Sequence, residues 1–420
     1  MYEGKIIKFY RKKARLTQDQ LGQGICSVTH ISKIERGLTE YSPEITNMLA
    51  ERLGIDMTDK LNKLSSLKKR LDQWHDAISS QRLDEAKAIK NELDQNNLIP
   101  ISDYHLLYQL LIARYFLMVG DSPAANKQIK AIQKNYKKLP QFEDNLFKHV
   151  RGIYHLFIGE HFTAIDILRT IQPELYQNPK YYYHLAAAYH HIHSPVKAYY
   201  YAEKALQFFK RDNNFLDIID AEMLMLIQVE VDKHRPFEET VEQYNRLLHS
   251  CDLCHSVDKK GKVLHNFAYE HLSRNNYKKA ASLYKQSMDL KDKGTDIYLL
   301  SLEGYVRSCF FERLLSEEEL LGMVHDGKST ASALNDDIYI LLFNLLDYLI
   351  KGQKKRYHTY MKEKALPYVQ SHGFIHITIQ YQKELYRYYV ETGQTELALE
   401  IADQIINRDD GDGREIKTKG

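Results

Sequence analysis

The sequence contains few cysteines for its length of 420 residues. Only four occur, widely scattered: Cys26, Cys251, Cys254 and Cys309. They cannot form a disulfide framework in a chain this large, so reduced thiols are expected. The string CDLCH that ends at His255 matches c-type haem attachment and half of a zinc site. Haem attachment needs export and zinc needs a second ligand pair, which His249 and His255 supply only in part, so we expect no cofactor and no metal.

The sequence also lacks long apolar runs and the usual catalytic motifs. No stretch of about eighteen apolar residues occurs, and no apolar segment follows the basic N-terminus, so neither a membrane span nor a signal peptide is expected. The motifs GxSxG, GxxxxGKS or GxxxxGKT, and HExxH are absent. His190, His191 and His193 are close in sequence but cannot all share one helical face, which argues against a metal site. We therefore expect a cytoplasmic protein that is not an enzyme.

Positive charge is concentrated at the N-terminus. The whole chain carries a formal net charge of +2, yet residues 1–36 hold eight basic and three acidic side chains, a net charge of +5. The remainder is slightly acidic, which favours nucleic-acid binding at the N-terminus alone. With 44% hydrophobic residues, the chain has enough apolar material for the cores of two or three domains.

The first fifty-odd residues have the pattern of a helix-turn-helix bundle. Apolar residues between positions 6 and 10 recur at helical spacing and predict a first helix that stops near Ala14. A second helix is expected to begin around Thr17, and Ser27 would cap a third by accepting a backbone N–H. Ile31 and Ile34 would face inward, and residues 43–53 would form a fourth and a fifth helix.

The outward face of the third predicted helix is where DNA contacts are expected. Spacing places four side chains there: Val28, Thr29, His30 and Lys33. The segment GKIIKFYRKKARLTQDQLGQGICSVTHISKIERG resembles the Cro/repressor class of helix-turn-helix domains. That resemblance implies that Gln18 and Ser27 contact phosphates while Val28, Thr29 and Lys33 read bases in the major groove of double-stranded DNA. The alternative is a small helical domain whose solvated face contacts another protein.

A repeat of small residues runs through the rest of the chain. Segments aligned on the residue that opens the second helix of a hairpin share alanines: Ala86, Ala125, Ala164, Ala198, Ala280 and Ala398. The interval from Ala164 to Ala198 is 34 residues, the period of the tetratricopeptide repeat. Other intervals are longer and leave about seven to nine repeats. The predicted fold is therefore all-α, a helix-turn-helix bundle followed by a right-handed superhelix of tetratricopeptide repeats.

The domain boundaries follow from these patterns. We expect a helix-turn-helix domain at 1–58, a linker at 59–70, a repeat domain at 71–407 and a polar, glycine-rich disordered tail at 408–420. Ser65-Ser66 interrupts a charged, weakly apolar stretch of the linker, where a hinge is expected. A continuous helix without a hinge is the alternative.

The first helix of each repeat is expected to line an inner surface that binds extended peptides. By repeat phase, six side chains are candidates for this surface: Arg114, Tyr183, His190, Asn266, Tyr269 and Tyr305. The Asn266 amide could donate to and accept from a peptide backbone at once, and Arg114 could hold a carboxylate. The alternative for each is an ordinary residue on a solvated concave face, or a tyrosine that fills a helix junction.

The combination of this helix-turn-helix segment with a long repeat array resembles the peptide-sensing cytoplasmic regulators of the Rap, NprR, PlcR and PrgX group, most of all its NprR members. The resemblance implies a quorum-sensing transcription regulator, in which a short signalling peptide binds the repeats and controls oligomeric state and DNA binding. It also implies an alternative, a scaffold that binds and inhibits a sporulation phosphorelay response regulator when peptide is absent. A homodimer or tetramer is expected, because one small helix-turn-helix contacts too little DNA for useful discrimination.

Overall fold

The structure, a computed structural model, describes residues 2–38, 42–229 and 236–411, with side chains up to residue 407. These residues form helices and contain no strand. The predicted all-α class, with a helix-turn-helix bundle before tetratricopeptide-like hairpins, is confirmed. The chain divides into two compact units. Unit 1 comprises Met1–Ile158 and Thr170–Gln177, and unit 2 comprises Gly159–Arg169 and Asn178–Gly420.

Five helices open unit 1: α1 Glu3–Lys13, α2 Gln18–Gly22, α3 Val28–Arg36, α4 Pro43–Arg52 and α5 Met57–Ser79. As predicted, α1 ends just before Ala14, and the Ser27 hydroxyl caps α3 by accepting the His30 amide at 3.3 Å. The bundle closes around side chains with no exposed surface: Ile6, Ile7, Leu21, Ile31, Ile34 and Leu49. Burial of one side of α3 leaves its opposite side to solvent.

One helix occupies the segment where the sequence predicted a fourth and a fifth. α4 ends at Arg52, and Gly54 turns the chain with a φ of +64°. Residues 59–70, expected as a linker, form the middle of α5, which runs without a break. Ser65 and Ser66 remain helical because their hydroxyls bond to carbonyl oxygens one turn back, at 2.9 and 3.2 Å. The continuous helix left open as the alternative is the one observed.

The described chain continues in helices that pair as hairpins. Their bounds are α6 Leu83–Asp94, α7 His105–Met118, α8 Ser122–Asn135, α9 Gln141–Phe157, α10 His161–Leu168, α11 Pro173–Tyr176, α12 Lys180–His191, α13 Pro195–Arg211, α14 Phe215–Val229, α15 Phe237–Leu253, α16 Val257–Ser273, α17 Tyr277–Asp289, α18 Asp296–Glu312, α19 Glu317–Leu334, α20 Asp337–Ile350, α21 Lys354–Tyr360, α22 Leu366–Ser371, α23 Ile375–Glu391 and α24 Thr395–Gly411. A 3-10 turn at Ile99–Ile101 precedes α7, and a π-helical turn at Met361–Ala365 joins α21 to α22. Helix α10 belongs to unit 2, whereas α11 belongs to unit 1.

The alanines that mark the repeat are buried on second helices of the hairpins. Ala398 keeps 5% exposure and the other members of the series have none. A small residue is needed there because the first helix of the hairpin packs directly over it. In the first hairpin, Trp74 of α5 fills this space and donates its indole N–H to the carbonyl oxygen of Ala86 at 2.9 Å. The repeated alanines in the sequence therefore arise from the close packing of the two helices in each hairpin.

The C-terminal end of the described chain is helical. α24 continues to Gly411, and residues 412–420 of the expected tail 408–420 lie outside the described residues. Disorder of that tail stays a prediction. Within the described ranges, no helix combines the length and the apolar character that crossing a membrane requires.

The CDLCH string lies at the end of α15. Cys251 is 1% exposed and packs with Tyr244 and Leu247 in a hydrophobic core of unit 2. Burial raises the pKa of its thiol to about 11, so the thiol stays protonated at neutral pH. Cys254 is the residue that ends the helix. Among the described residues, no group of three or more potential ligands is placed to hold a metal ion.

Candidate functional site

The solvent side of α3 carries the predicted base-reading side chains. Val28, Thr29 and Lys33 are exposed, with Val28 at 42%, and His30 is half-buried. Because Ser27 caps the helix through its hydroxyl, the first turn of α3 is held in a defined geometry while its outer side chains stay accessible. An apolar side chain beside a hydroxyl and an ammonium can distinguish base edges in a major groove.

A buried ion pair joins α1 to α3. Arg11 donates to both carboxylate oxygens of Glu35, at 2.5 and 2.9 Å, and also to the carbonyl oxygen of Leu16 at 2.8 Å. The exposed fractions of the two charged side chains are 11% and 2%. Burial by itself raises the pKa of Glu35, but hydrogen bonds from Arg11 and Gln18 outweigh it and lower that pKa below its usual range.

Gln18 therefore has a structural contact at the position where a phosphate contact was predicted. Its amide nitrogen donates to Glu35 at 2.9 Å, which fixes the start of α2 against α3. Thr17 caps α2 and forms a reciprocal capping box with Gln20. A phosphate would meet the half-buried Gln18 through the rest of its amide group. The phosphate contacts of Gln18 and Ser27 stay predictions.

Helix α1 also contacts the first hairpins of unit 1. Asp103 accepts hydrogen bonds from the Tyr2 hydroxyl at 2.8 Å and the Lys5 ammonium at 2.6 Å. Lys5 and Asp103 keep 45% and 62% of their side-chain surface exposed, so this pair contributes at most about 1 kcal/mol. Lys5 is thus partly neutralised, whereas Lys8 and Lys12 are exposed on the same helix. Fewer basic side chains of α1 are therefore free to attract a polyanion than the number of lysines in the sequence indicates.

The first helices of successive hairpins in unit 2, α12, α14, α16 and α18, contact one another in chain order. Five of the six predicted peptide contacts lie on them: Tyr183, His190, Asn266, Tyr269 and Tyr305. The His190 ring bonds to the amide of Gln228 on α14 at 3.0 Å, and the Asn266 amide nitrogen lies 3.2 Å from the sulfur of Met223. The repeat phase therefore identified residues on adjoining helices.

The three tyrosines of this set have different environments. Tyr183 and Tyr305 are half-buried and pack against hydrophobic clusters. Burial raises the pKa of Tyr305 to about 12, and burial with the charges of Asp220 and Asp217 raises that of Tyr183 further. Tyr269 is 36% exposed, so among these tyrosines it is the one open to a ligand.

Arg114 is placed differently from the prediction. It lies on α7 in unit 1 and is only 4% exposed. α7 packs against α5, α8 and α9, so nearly every side of this helix is covered. Burial, followed by the charge of Arg114, lowers the pKa of His75 to about 3. A ligand carboxylate could reach the guanidinium only if neighbouring side chains moved.

Two buried lysine–aspartate pairs on the first helices of unit 2 escaped the sequence analysis. Lys180 of α12 contacts Asp217 of α14 at 2.7 Å, and Lys259 of α16 contacts Asp220 of α14 at 2.6 Å. All four side chains are at most 10% exposed. The two aspartates lie three residues apart in a mostly apolar helix, a signal that could have identified them. They tie three consecutive first helices together.

A second polar cluster lies further along unit 2. Arg307 donates to one carboxylate oxygen of Glu303 at 2.5 and 2.9 Å, one turn apart on α18. Burial opposes the charge of Arg307, but Glu303 and the Tyr357 hydroxyl raise the pKa of the guanidinium well above its usual value. Burial also raises the pKa of Tyr381 on α23, so this hydroxyl stays protonated. The cluster supplies fixed polar groups from three hairpins.

Known proteins match this chain both in sequence and in fold. Residues 7–60 match the family described as HTH_3: Helix-turn-helix. A transcriptional activator, NprA of Geobacillus stearothermophilus, is 23% identical over 404 residues, covering 90% of this chain and 96% of the relative. The crystal structure of NprR in complex with its cognate peptide NprX has a TM-score of 0.64 at 21% identity, covering 81% of this chain and 99% of that one. The expected resemblance to NprR is confirmed.

A second relative is named as an enzyme. Response regulator aspartate phosphatase I of Bacillus subtilis (strain 168) is 19% identical over 355 residues, covering 79% of this chain and 88% of the relative. The NprR structure shows a likeness of fold over 81% of this chain. This chain is thus similar in sequence both to a transcriptional activator and to a response regulator aspartate phosphatase.

Proposed function

We propose that this protein is a quorum-sensing transcription regulator whose repeat domain binds a short signalling peptide and thereby controls oligomeric state and DNA binding. The observation that carries the proposal is the exposed face of α3, on a bundle that matches a helix-turn-helix family, within a chain similar to a transcriptional activator over 90% of its length. A DNA-binding role places the protein in the cytoplasm, and we assign it no catalytic activity.

The DNA contacts follow from chemistry on α3. Val28 suits a thymine methyl group, the Lys33 ammonium suits the acceptors of guanine, and Thr29 and His30 can bond to base edges or phosphates. The exposed lysines of α1 add attraction to the DNA backbone that depends on salt. Two copies, as a homodimer or tetramer, would match operator half-sites about 34–36 Å apart.

The DNA test is fluorescence anisotropy on an operator selected from genomic fragments. We expect Lys33→Ala and Thr29→Ala each to weaken operator binding by about 1–3 kcal/mol while binding to unrelated DNA changes less. Lys137→Ala is the matched control, because Lys137 is exposed in unit 1 but lies after α8, away from α3. Unchanged operator preference in the α3 variants would contradict the assignment of this face.

Peptide control is a linkage between two sites. A peptide that binds one arrangement of the hairpins better than another shifts the population by that difference in affinity. Asn266 is the central candidate, since it is half-buried on α16 and its amide can bond to a peptide backbone in both directions. His190 and Tyr269, on α12 and α16, would add further contacts. Tyr183 and Tyr305 are half-buried and would contribute the parts of their side chains that stay accessible. Arg114 lies enclosed in unit 1 and is not included in this site.

The peptide test uses heptapeptides encoded by a neighbouring small reading frame. Calorimetry should detect binding, and light scattering should detect a change of molar mass on peptide addition. Asn266→Ala should weaken peptide binding about tenfold or more through the loss of two hydrogen bonds. Lys278→Ala is the matched control, because Lys278 is exposed on α17, the second helix of the same hairpin, and does not share the face of α16 that carries Asn266 and Tyr269. Equal affinities of the two variants would remove Asn266 from the site.

A second candidate function is a scaffold that binds and inhibits a sporulation response regulator when peptide is absent. The similarity to a response regulator aspartate phosphatase over 88% of that relative favours it. The test mixes the protein with phosphorylated response regulator and follows both complex formation and phosphate release. A complex that peptide dissociates, without phosphate release, supports the scaffold. A complex that survives saturating peptide contradicts it, and rapid phosphate release would show an enzyme instead.

A further inference from the structure

Two turns that are far apart in sequence meet within unit 2. The turn before α10 contains Gly159, and the turn between α22 and α23 contains His372 and Gly373. A methyl group built on Gly159 would lie 3.4 Å from the carbonyl oxygen of His372, and one built on Gly373 would lie 3.4 Å from the carbonyl oxygen of Gly159. Both glycines have a positive φ, 79° and 72°, so the close backbone approach uses turns that suit glycine.

Side chains join the same parts of unit 2. His376, in the first turn of α23, places its Nε2 atom 3.0 Å from the hydroxyl of Tyr269 on α16. Its ring centre also lies 5.9 Å from that of His193, in the turn between α12 and α13. One histidine of a late hairpin therefore contacts two earlier hairpins. Together with the glycine turns, these contacts close unit 2 onto itself.

The charged and titratable groups around His376 come from each neighbouring element. They are His190 on α12, His193 in the following turn, Tyr269 on α16 and Lys383 on α23 itself. Desolvation, and then the positive charges of His193, His190 and Lys383, lower the pKa of His376 below its ordinary value of 6.5. Each of these effects disfavours protonation of the His376 ring.

More histidines extend this cluster toward α10. The rings of His161 and His191 stack with centres 4.4 Å apart and planes within 6° of parallel, and the His190 ring is 5.5 Å from that of His191. Desolvation and the charges of His161 and His190 lower the pKa of His191 to about 3. Desolvation, and then the charge of His190, also lowers the pKa of His161, so the uncharged rings are favoured in this cluster as well.

We propose that His376, Tyr269 and His193 form a latch that holds unit 2 closed, and that protonation of His376 opens it. A neutral Nε2 can accept the tyrosine hydroxyl, whereas an imidazolium can only donate to the tyrosine oxygen. Protonation therefore reverses this hydrogen bond and places a positive charge beside His193, His190 and Lys383, which repel it. Because Tyr269 is a proposed peptide contact, the consequence that the latch regulates ligand entry rests on the proposed function. The latch itself does not.

The sign of the pH effect follows from the direction of the pKa shift. In the open state His376 has its ordinary pKa of 6.5, and in the closed state its pKa is lower. The closed state is therefore fully favoured above 6.5 and loses stability as the pH falls below it. His376 is exposed in the closed state, so screening by solvent moderates the effect.

The test is small-angle scattering of the full chain, without DNA or peptide, between about pH 7.5 and about pH 5. We expect the wild-type radius of gyration to increase as the pH falls, with a midpoint below 6.5. His376→Gln can still accept from Tyr269 but cannot be protonated, so it should stay closed throughout. His376→Lys should be open at both ends of the range, and Tyr269→Phe should open at a higher pH than wild type.

His325→Gln is the matched control, because His325 is an exposed histidine on α19 outside the cluster. It should open like wild type. A wild-type radius that does not change with pH, or a His376→Gln variant that opens like wild type, overturns the latch. Circular dichroism on each sample ensures that expansion occurs in a folded chain. Neither result touches the proposed function, which is tested separately by operator and peptide binding.

Discussion

Replacement of Glu35 by glutamine tests how the helix-turn-helix bundle holds its recognition helix. Glu35 is the carboxylate that accepts two hydrogen bonds from Arg11 and one from Gln18. Glutamine has nearly the same shape but no charge, and it offers one acceptor oxygen in place of two. The substitution therefore removes the ion pair between α1 and α3 without opening a cavity.

The size of the effect follows from burial. Removal of one member of a buried ion pair costs about 3–5 kcal/mol, since the remaining charge has lost its partner. Arg11 keeps 11% of its surface and a hydrogen bond to Leu16, so we expect the lower end, about 3 kcal/mol. A bundle of this size has about 3–8 kcal/mol of stability in total, so its local unfolding should become more than a hundredfold more frequent.

Hydrogen exchange read by mass spectrometry is the assay. Amides of α1 to α3 should exchange more than about a hundredfold faster in Glu35→Gln, whereas those of α16 to α18 in unit 2 should not change. Glu51→Gln is the matched control, because Glu51 is exposed on α4. Equal exchange in the two variants would refute the view that this ion pair holds the bundle.

The same residue predicts a pH dependence. The pKa of Glu35 in the folded bundle lies below its ordinary value of 4.5. Its ionised form therefore stabilises the bundle above 4.5, and this contribution is lost as the pH falls below that value. The Glu35→Gln variant should lack this part of the acid destabilisation. If wild type and variant lose stability in parallel below this pH, the pKa of Glu35 is not lowered.

Further substitutions test packing in unit 2 and in unit 1. Asp217→Asn removes the negative charge that Lys180 contacts at 2.7 Å, and it should lower the stability of unit 2 by about 3–5 kcal/mol, visible as faster hydrogen exchange in α12 and α14. The double variant Lys180→Met with Asp217→Leu should restore most of the lost stability. If the double variant is no more stable than Asp217→Asn, the two residues do not form a buried pair. Gly4→Ala would place a methyl group 2.1 Å from the carbonyl oxygen of Ile34. It should lower the free energy of unfolding of unit 1 by at least about 1–3 kcal/mol, which is visible as a lower melting temperature. Gly322→Ala meets open space on α19 and should be neutral or slightly stabilising.

Local patterns predicted most of the helix-turn-helix domain. The end of α1, the Ser27 cap and the inward side of α3 depend on contacts within one or two turns, which the order of residues contains directly. Prediction was less successful where burial decides. Arg114 has the phase of an inner-surface residue, yet it is enclosed because three helices surround α7. Residues 59–70 are polar enough for a linker, yet they continue α5 because its apolar side is buried.

The pairings across unit 2 could not be predicted from the order of residues. Lys180 with Asp217, and Tyr269 with His376, join side chains on different hairpins. Which distant residues meet depends on the packing angle of every hairpin between them, and small angles accumulate along a repeat array. The accumulated angle cannot be predicted from any short segment of the sequence.

The sequence by itself determined the helical class, the period of the hairpins, the caps of the DNA-reading helix and the resemblance to NprR. Periodicity and capping are local properties, so they can be read from neighbouring residues. Only the tertiary structure decided that Gln18 is held by Glu35, that Arg114 is enclosed and that His376 closes onto Tyr269. Each of these depends on which side chains desolvate one another, and that is a property of the packed chain.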